Sequence, residues 1–226
     1  MKKRIIFLFV LLVLISGIII ALKWWPVINQ SIQIPAPIPI LQKSYTADEL
    51  HIKTIKSTID CDKDSIDDYT DIMLGARAYI DSRPKYKSDY YLGGYPPDGV
   101  GVCTDVIWKA FKAAGYSLKD MVDQDIAKNP KAYTTIQKAD PNIDFRRVKN
   151  LKIFFSRNAI SLTLDTTDVA AWQPGDIVIY VDSHIAMVSS KRNKTGRPYI
   201  LHNAGRPTEE DRLTRKTIVG HYRWKG

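Results

Sequence analysis

The chain has 226 residues, 45% of them hydrophobic and 25% charged, with a formal net charge of +9. This is the balance of an ordinary globular protein and excludes a disordered or collagen-like chain; the length suits one well-cored domain plus a tail. The positive charge fits an anionic envelope or polymer surface, but no basic stripe is interleaved with aromatics, so nucleic acid is not expected as a partner.

The N-terminal stretch "MKKRIIFLFVLLVLISGIIIALKWWP" opens on Lys2, Lys3 and Arg4, runs uncharged from Ile5 to Leu22, and closes on Lys23, Trp24 and Trp25. An apolar run of that length is just enough to span a bilayer, and the tryptophans fit an interfacial belt. No small-residue cleavage site follows it. The expectation is a cytoplasmic tail at 1–4 and an uncleaved transmembrane anchor at 5–22. The positive-inside rule then leaves the remainder outside a bacterial cell membrane, as a single-pass protein with an extracytoplasmic domain. Residues 23–44 alternate proline with aliphatics in "PVINQSIQIPAPIPILQK" and read as a semi-rigid spacer, which leaves 45–226 as the folded domain.

Thr46 and Glu49 have the spacing of a capping box opening a short helix. Next, "DCDKDSIDDYTD" places Asp60, Asp62, Asp64, Asp68 and Asp71 at positions 1, 3, 5, 9 and 12 of a calcium loop, with Cys61 in a non-ligating place. Ser65 replaces the glycine that ordinarily takes positive φ there. Two readings stand: a structural calcium site, or a solvated acidic turn in which Asp64 or Ser65 caps a helix over residues 65–81.

In "GGYPPDGVGVCTDVIWKAFKAAG", residues 93–115, the glycines and prolines up to Gly101 predict a loop. From Cys103 onward Val106, Ile107, Ala110, Phe111 and Ala114 keep helical spacing and Gly115 offers a stop. Cys103 is thereby predicted at a helix N-terminus, where free N–H groups and the helix dipole favour a thiolate. The competing possibilities are a buried structural cysteine and a Cys61–Cys103 disulfide. Asp105 reads as a local cap or a substrate contact. Arg146, Arg147 and Arg206 read as surface or substrate-positioning groups.

The last third predicts an antiparallel meander: Ile177 to Val181, Ile185 to Ser189, and Tyr199 to His202. His184 opens the second strand and His202 ends the third, so the two can lie side by side. Taken singly they read as a sheet-edge and a turn residue. Together with Cys103 they are the components of a cysteine acyl-transfer site. Trp172, Trp224, Tyr222 and His221 read as core and sheet-edge residues.

"DYYLGGYPPDGVGVCTDVIWKAFKAAG", "WQPGDIVIY", "SHIAMVSS" and "YILHNAG" together resemble the NlpC-type branch of papain-like cell-wall amidohydrolases. "GVCTDV", "DPNID" with "RRV", "PGDIV", "HN" with "GR", and "GHYR" resemble an uncharacterised bacterial domain family in that clan. The resemblance covers about residues 66–224. It implies an α+β papain-like fold, N-terminal helices packed on an antiparallel sheet, here preceded by one transmembrane helix. It also implies cysteine-dependent hydrolysis of a cell-envelope amide, a peptidoglycan stem peptide for choice, with no cofactor needed for catalysis. Cys103 would be the nucleophile, His184 the base and His202 its orienter. Tyr90 would lie at the oxyanion hole, with Asp105, Asn203 and Arg206 on the substrate side. The pattern departs from the usual one in having Val102-Cys103-Thr104 for Asp-Cys-Ser, one extra residue between Gly94 and Cys103, and a longer last loop. A catalytically silent polymer-binding domain and a thioester acyltransferase are the alternatives on the same groove.

Overall fold

The computed structural model describes residues 43–226. Four α-helices, α1 (Asp68–Asp81), α2 (Cys103–Ala113), α3 (Leu118–Lys128) and α4 (Val148–Asn158), accompany eight strands. The strands are β1 (Lys85–Tyr86), β2 (Val100–Gly101), β3 (Ile160–Ser161), β4 (Ile177–Tyr180), β5 (His184–Arg192), β6 (Pro198–Asn203), β7 (Pro207–Glu210) and β8 (Ile218–Arg223). β1 and β2 form a small parallel pair, and the other six form an antiparallel sheet in the order β3-β8-β4-β5-β6-β7.

The expected architecture needs one correction. Among the described residues no helix is long and apolar enough to cross a membrane. The fold described here is therefore one without a preceding transmembrane helix, and the single-pass membrane placement built on that helix is withdrawn with it. The tail 1–4, the anchor 5–22 and nearly all of the spacer 23–44 lie outside the described residues.

Alternation along the strands divides the core. Ile177, Ile179, Ile185, Met187, Leu201 and Tyr222 pack under the helices with Ile72, Phe111 and Phe155. Val178, Tyr180, Ala186, Val188 and Ile200 face the other way, covered by Trp172 and Leu213. Burial on both faces explains why these strands read as nearly continuous apolar runs. The sheet is pinned where β4 meets β8 by the wholly buried Asp176. Its carboxylate accepts from Gln173 N (2.8 Å), from Arg223 Nε and Nη2 (both 2.7 Å), and meets His221 Nε2 at 3.0 Å. The His221 ring stacks on Trp172 at 3.7 Å, so the "PGDIV" and "GHYR" segments meet here in a structural knot.

α1 begins later than the sequence suggests. Its N-cap is Asp67, whose carboxylate accepts from Ser57 N (2.9 Å) and Thr70 Oγ1 (2.7 Å), so neither Asp64 nor Ser65 caps it. Thr46 and Glu49 do close a capping box, with Thr46 N donating to Glu49 Oε2 at 2.7 Å and Glu49 N to Thr46 Oγ1 at 3.2 Å. α1 and α2 touch at Gly75, where an added Cβ would stand 2.5 Å from Ala113 Cβ and 3.0 Å from Ala110 Cα. Gly75→Ala would gain about 1 kcal/mol of helix propensity. Forcing the helices apart costs more, so urea unfolding should show a net loss of roughly 1–2 kcal/mol at unchanged m-value.

Candidate active site

Cys103 is the first residue of α2, as its sequence predicts, and both it and Cys61 are free thiols, so no disulfide joins them. The helix start is held by Asp105, which is wholly buried. Its Oδ2 accepts from Val102 N (2.7 Å) and Arg146 Nη2 (3.0 Å), and its Oδ1 from Trp108 Nε1 (2.7 Å) and Arg146 Nε (2.8 Å). Asp105 is thus the local cap and half of a buried ion pair. Arg146, expected near the surface, is the other half.

The same burial reverses the expectation for the thiol. Cys103 is only 9% exposed. Enclosure pushes its pKa up, the Asp105 carboxylate pushes the same way, and the N–H groups of Ile185, Thr104 and Cys103 only partly oppose them. α2 packs on β5, and the Ile185 N–H, one residue after His184, is among the groups that act on the thiol.

His184 and His202 do meet. His184 Nε2 lies 3.0 Å from His202 Nδ1, and His202 Nε2 lies 2.9 Å from Glu210 Oε1 on β7. Cross-strand register makes this row: His202 pairs with Thr208, and Ile200 with Glu210, so Glu210 is the diagonal neighbour of His202 on one face. A carboxylate only accepts, so His202 must donate from Nε2 and accept at Nδ1. His184 therefore carries its proton on Nε2 and keeps a lone pair on Nδ1. Burial, then His202 and Arg215, pulls the His184 pKa down to about 4. Burial lowers that of His202 as well, against the pull of Glu210.

Alternation sets His184 and His202 on the face of Ala186 and Ile200, opposite Ile185 and Leu201. The imidazole can approach Cys103 only around the end of β5, where His184 is the first residue. No hydrogen bond joins the thiol to His184 in this resting arrangement, among the described residues.

Tyr90 is not at the thiol: its exposed hydroxyl meets Asp140 Oδ2 at 3.1 Å and accepts from Asn142 Nδ2 at 2.9 Å. Two other tyrosines adjoin the strand that leads into Cys103. Tyr86 on β1, about half exposed, pairs with Gly101, and its pKa is raised chiefly by burial of the rest. Tyr79 donates to Val102 O at 3.4 Å and accepts from Asn203 Nδ2 at 3.2 Å; burial drives its pKa up to about 12. Asn203, also bonded to Gly101 O (3.3 Å), thus ties β6 to the strand leading into Cys103 and faces away from His202. Gly101 admits Tyr79, since a Cβ there would lie 2.4 Å from its hydroxyl. Arg206 is exposed on the β6–β7 turn and lines a cavity of about 660 Å³ with Tyr86, Arg83, Lys85 and Lys191.

Residues 73–224 match the family described as "Domain of unknown function (DUF1287)", and the chain belongs to that family. A relative, the "Uncharacterized protein YijF" of Escherichia coli (strain K12), is 38% identical over 166 residues, which are 68% of this chain and 80% of the relative. No solved structure matches the chain.

Because Cys61 is exposed and Cys103 enclosed, iodoacetamide at neutral pH should modify Cys61 roughly tenfold faster or more. Labelling of Cys103 should climb as pH passes the ordinary thiol range. Peptide mass spectrometry at several pH values checks this, and preferential labelling of Cys103 at neutral pH would refute the enclosed-thiol description.

Proposed function

We propose that the protein is a cysteine hydrolase of the NlpC-like, papain-like kind, cleaving an amide in a cell-envelope polymer such as a peptidoglycan stem peptide. The observation that carries the reading is the Glu210–His202–His184 row, which leaves an unprotonated nitrogen on the histidine that opens β5, the strand on which the Cys103 helix packs. The cavity beside Tyr86 sets Arg83, Lys85, Lys191 and Arg206 against Asp81 and Glu209, and this net positive lining suits a substrate bearing carboxylates.

In this reaction His184 Nδ1 takes the Cys103 proton as sulfur attacks the amide carbon. The oxyanion is met by the Cys103 backbone N–H and the Tyr86 hydroxyl, and the proton passes from His184 to the departing amine. Water, deprotonated by the same nitrogen, then attacks the thioester; the acid leaves and the thiol is restored. His202 and Glu210 are positioning residues. The chemistry uses no cofactor. Substrate binding must bring thiol and imidazole into contact, as catalytic hydrogen bonds commonly tighten only in the complex.

Cys103→Ala and His184→Ala should each abolish release of peptide from peptidoglycan fragments, and the double variant should be scarcely worse. Glu210→Ala should lower kcat on the order of 100-fold with KM little changed. Because His184 stays neutral down to about pH 4, kcat/KM should show no acid limb near the ordinary histidine range. Full turnover by folded Cys103→Ala would sink the reading. Tight polymer binding with no turnover in the wild type would favour a binding domain, and transfer to an added amine in preference to water would mark an acyltransferase.

A further inference from the structure

The loop preceding α1 is wound around its own carboxylates. Asp60 Oδ1 accepts from Lys63 N (2.7 Å) and Asp64 N (3.2 Å), and its Oδ2 from Ser65 N (2.9 Å); Asp64 Oδ1 accepts from Ile66 N (2.8 Å). This winding brings one carboxylate oxygen from each of Asp60, Asp62 and Asp64 within 4.8 Å of one another. Ser65, at the sixth place, takes φ 78°, the left-handed turn that such loops ordinarily assign to glycine.

A cluster of carboxylates on an exposed loop is unremarkable by itself. The independent observation is Asp71, in the first turn of α1. It is 6% exposed, and its Oδ2 is enclosed with no hydrogen-bond partner among the described residues. It stands at the twelfth place of the loop, in the helix turn that the loop leads into, and after burial the charges of Asp64, Asp62 and Asp60 act on it most strongly, so it lies near their cluster. A buried acceptor with no donor, close to other carboxylates, lacks a positive charge. Among the described residues no basic side chain bonds to it: Lys63, within the loop, donates its backbone N–H to Asp60, and Arg77, further along α1, goes to Ser189, Ser190 and Glu209.

Asp68, at the ninth place, does not join them. Its Oδ1 accepts from Cys61 N (2.9 Å) and its Oδ2 from Tyr116 Oη (2.5 Å). Its role is to tie the loop to the far end of α2. Asp62 packs against the same place, since a Cβ on Gly115 would lie 2.9 Å from Asp62 Cβ.

We propose that Asp60, Asp62, Asp64 and Asp71 form a calcium site, with the Ile66 carbonyl at the seventh place of the loop, which clamps the loop to α1 and braces the C-terminal end of the helix that begins with Cys103. Oxygen-only ligands select a hard cation, and a flexible twelve-place loop suits calcium better than magnesium, which demands near-ideal octahedral geometry. The site lies before residue 73, outside the segment shared with the family, and is independent of the thiol chemistry.

The test is thermal unfolding and calorimetric titration of the full-length chain after chelator treatment, with calcium chloride and magnesium chloride as probes. At ~100-fold excess over the dissociation constant, calcium should raise the midpoint by roughly 5–10 °C, and magnesium by much less. Asp71→Asn should abolish the calcium shift while melting no lower than the metal-free wild type, because it removes a buried unpaired charge. Ser65→Gly, which relieves the left-handed serine, should keep or enlarge the shift. Superimposable wild-type curves with calcium and with chelator would overturn the proposal, as would an Asp71→Asn variant that retains the wild-type shift.

Discussion

The buried pair Asp105–Arg146 is the constraint on which the site depends. A charge removed from water is tolerable only if every lone pair and donor is met, and here the carboxylate receives two bonds from the guanidinium, one from the Val102 N–H and one from the Trp108 indole. The guanidinium spends its remaining reach on Asp89 O (3.1 Å) and lies over the Tyr91 ring at 5.1 Å. Three segments distant in the chain are thereby located by one ion pair: the strand and first helical turn on either side of Val102, the 89–91 loop and the 144–146 turn. Breaking it from one side would strand the other charge, an effect of about 3–5 kcal/mol. Asp176 works in the same way at the sheet, gathering Gln173, His221 and Arg223. The motifs that most resemble a family signature thus include residues whose work is structural.

What could be read from the sequence was what local pattern specifies. The Cys103 helix follows from apolar spacing and a glycine stop, the meander from apolar runs between turn residues, and the Thr46–Glu49 box from spacing alone. What could not be read depends on register between strands or on depth. Glu210 lies in "TEEDR", with nothing local to distinguish it from Glu209. Yet pairing sends Glu209 toward the helices, where Arg77 Nη2 and Lys191 Nζ each meet it at 2.7 Å, and sends Glu210 to His202. Tyr90 has a suggestive spacing before Cys103, but its hydroxyl goes to Asp140 and Asn142, while a two-residue parallel pairing puts Tyr86 beside Gly101.

The thiol shows two electrostatic effects in competition. A helix N-terminus stabilises an anion by about 0.3–1 kcal/mol, up to about 2 in enclosed sites. Full enclosure can shift a pKa by up to 3–5 units at about 1.4 kcal/mol each. With Cys103 nearly covered and a carboxylate two residues away, enclosure wins, and the thiol is held protonated. Position along the helix, visible in the sequence, carried the smaller of the two contributions.

Burial acts in the opposite sense on the imidazole, so both groups rest uncharged, an acid whose proton is hard to remove and a base that is hard to protonate. Such a pair forms no ion pair at rest, in agreement with the absence of a hydrogen bond between Cys103 and His184. What the fold does fix in advance is direction. From Glu210 through His202 to His184 each hydrogen bond dictates the next tautomer, so that the basic nitrogen of His184 is assigned by a carboxylate two strands away. In the proposed hydrolysis the proton would therefore have one route, from the thiol to that nitrogen, and an enclosed neutral thiol is meanwhile a poor target for oxidation.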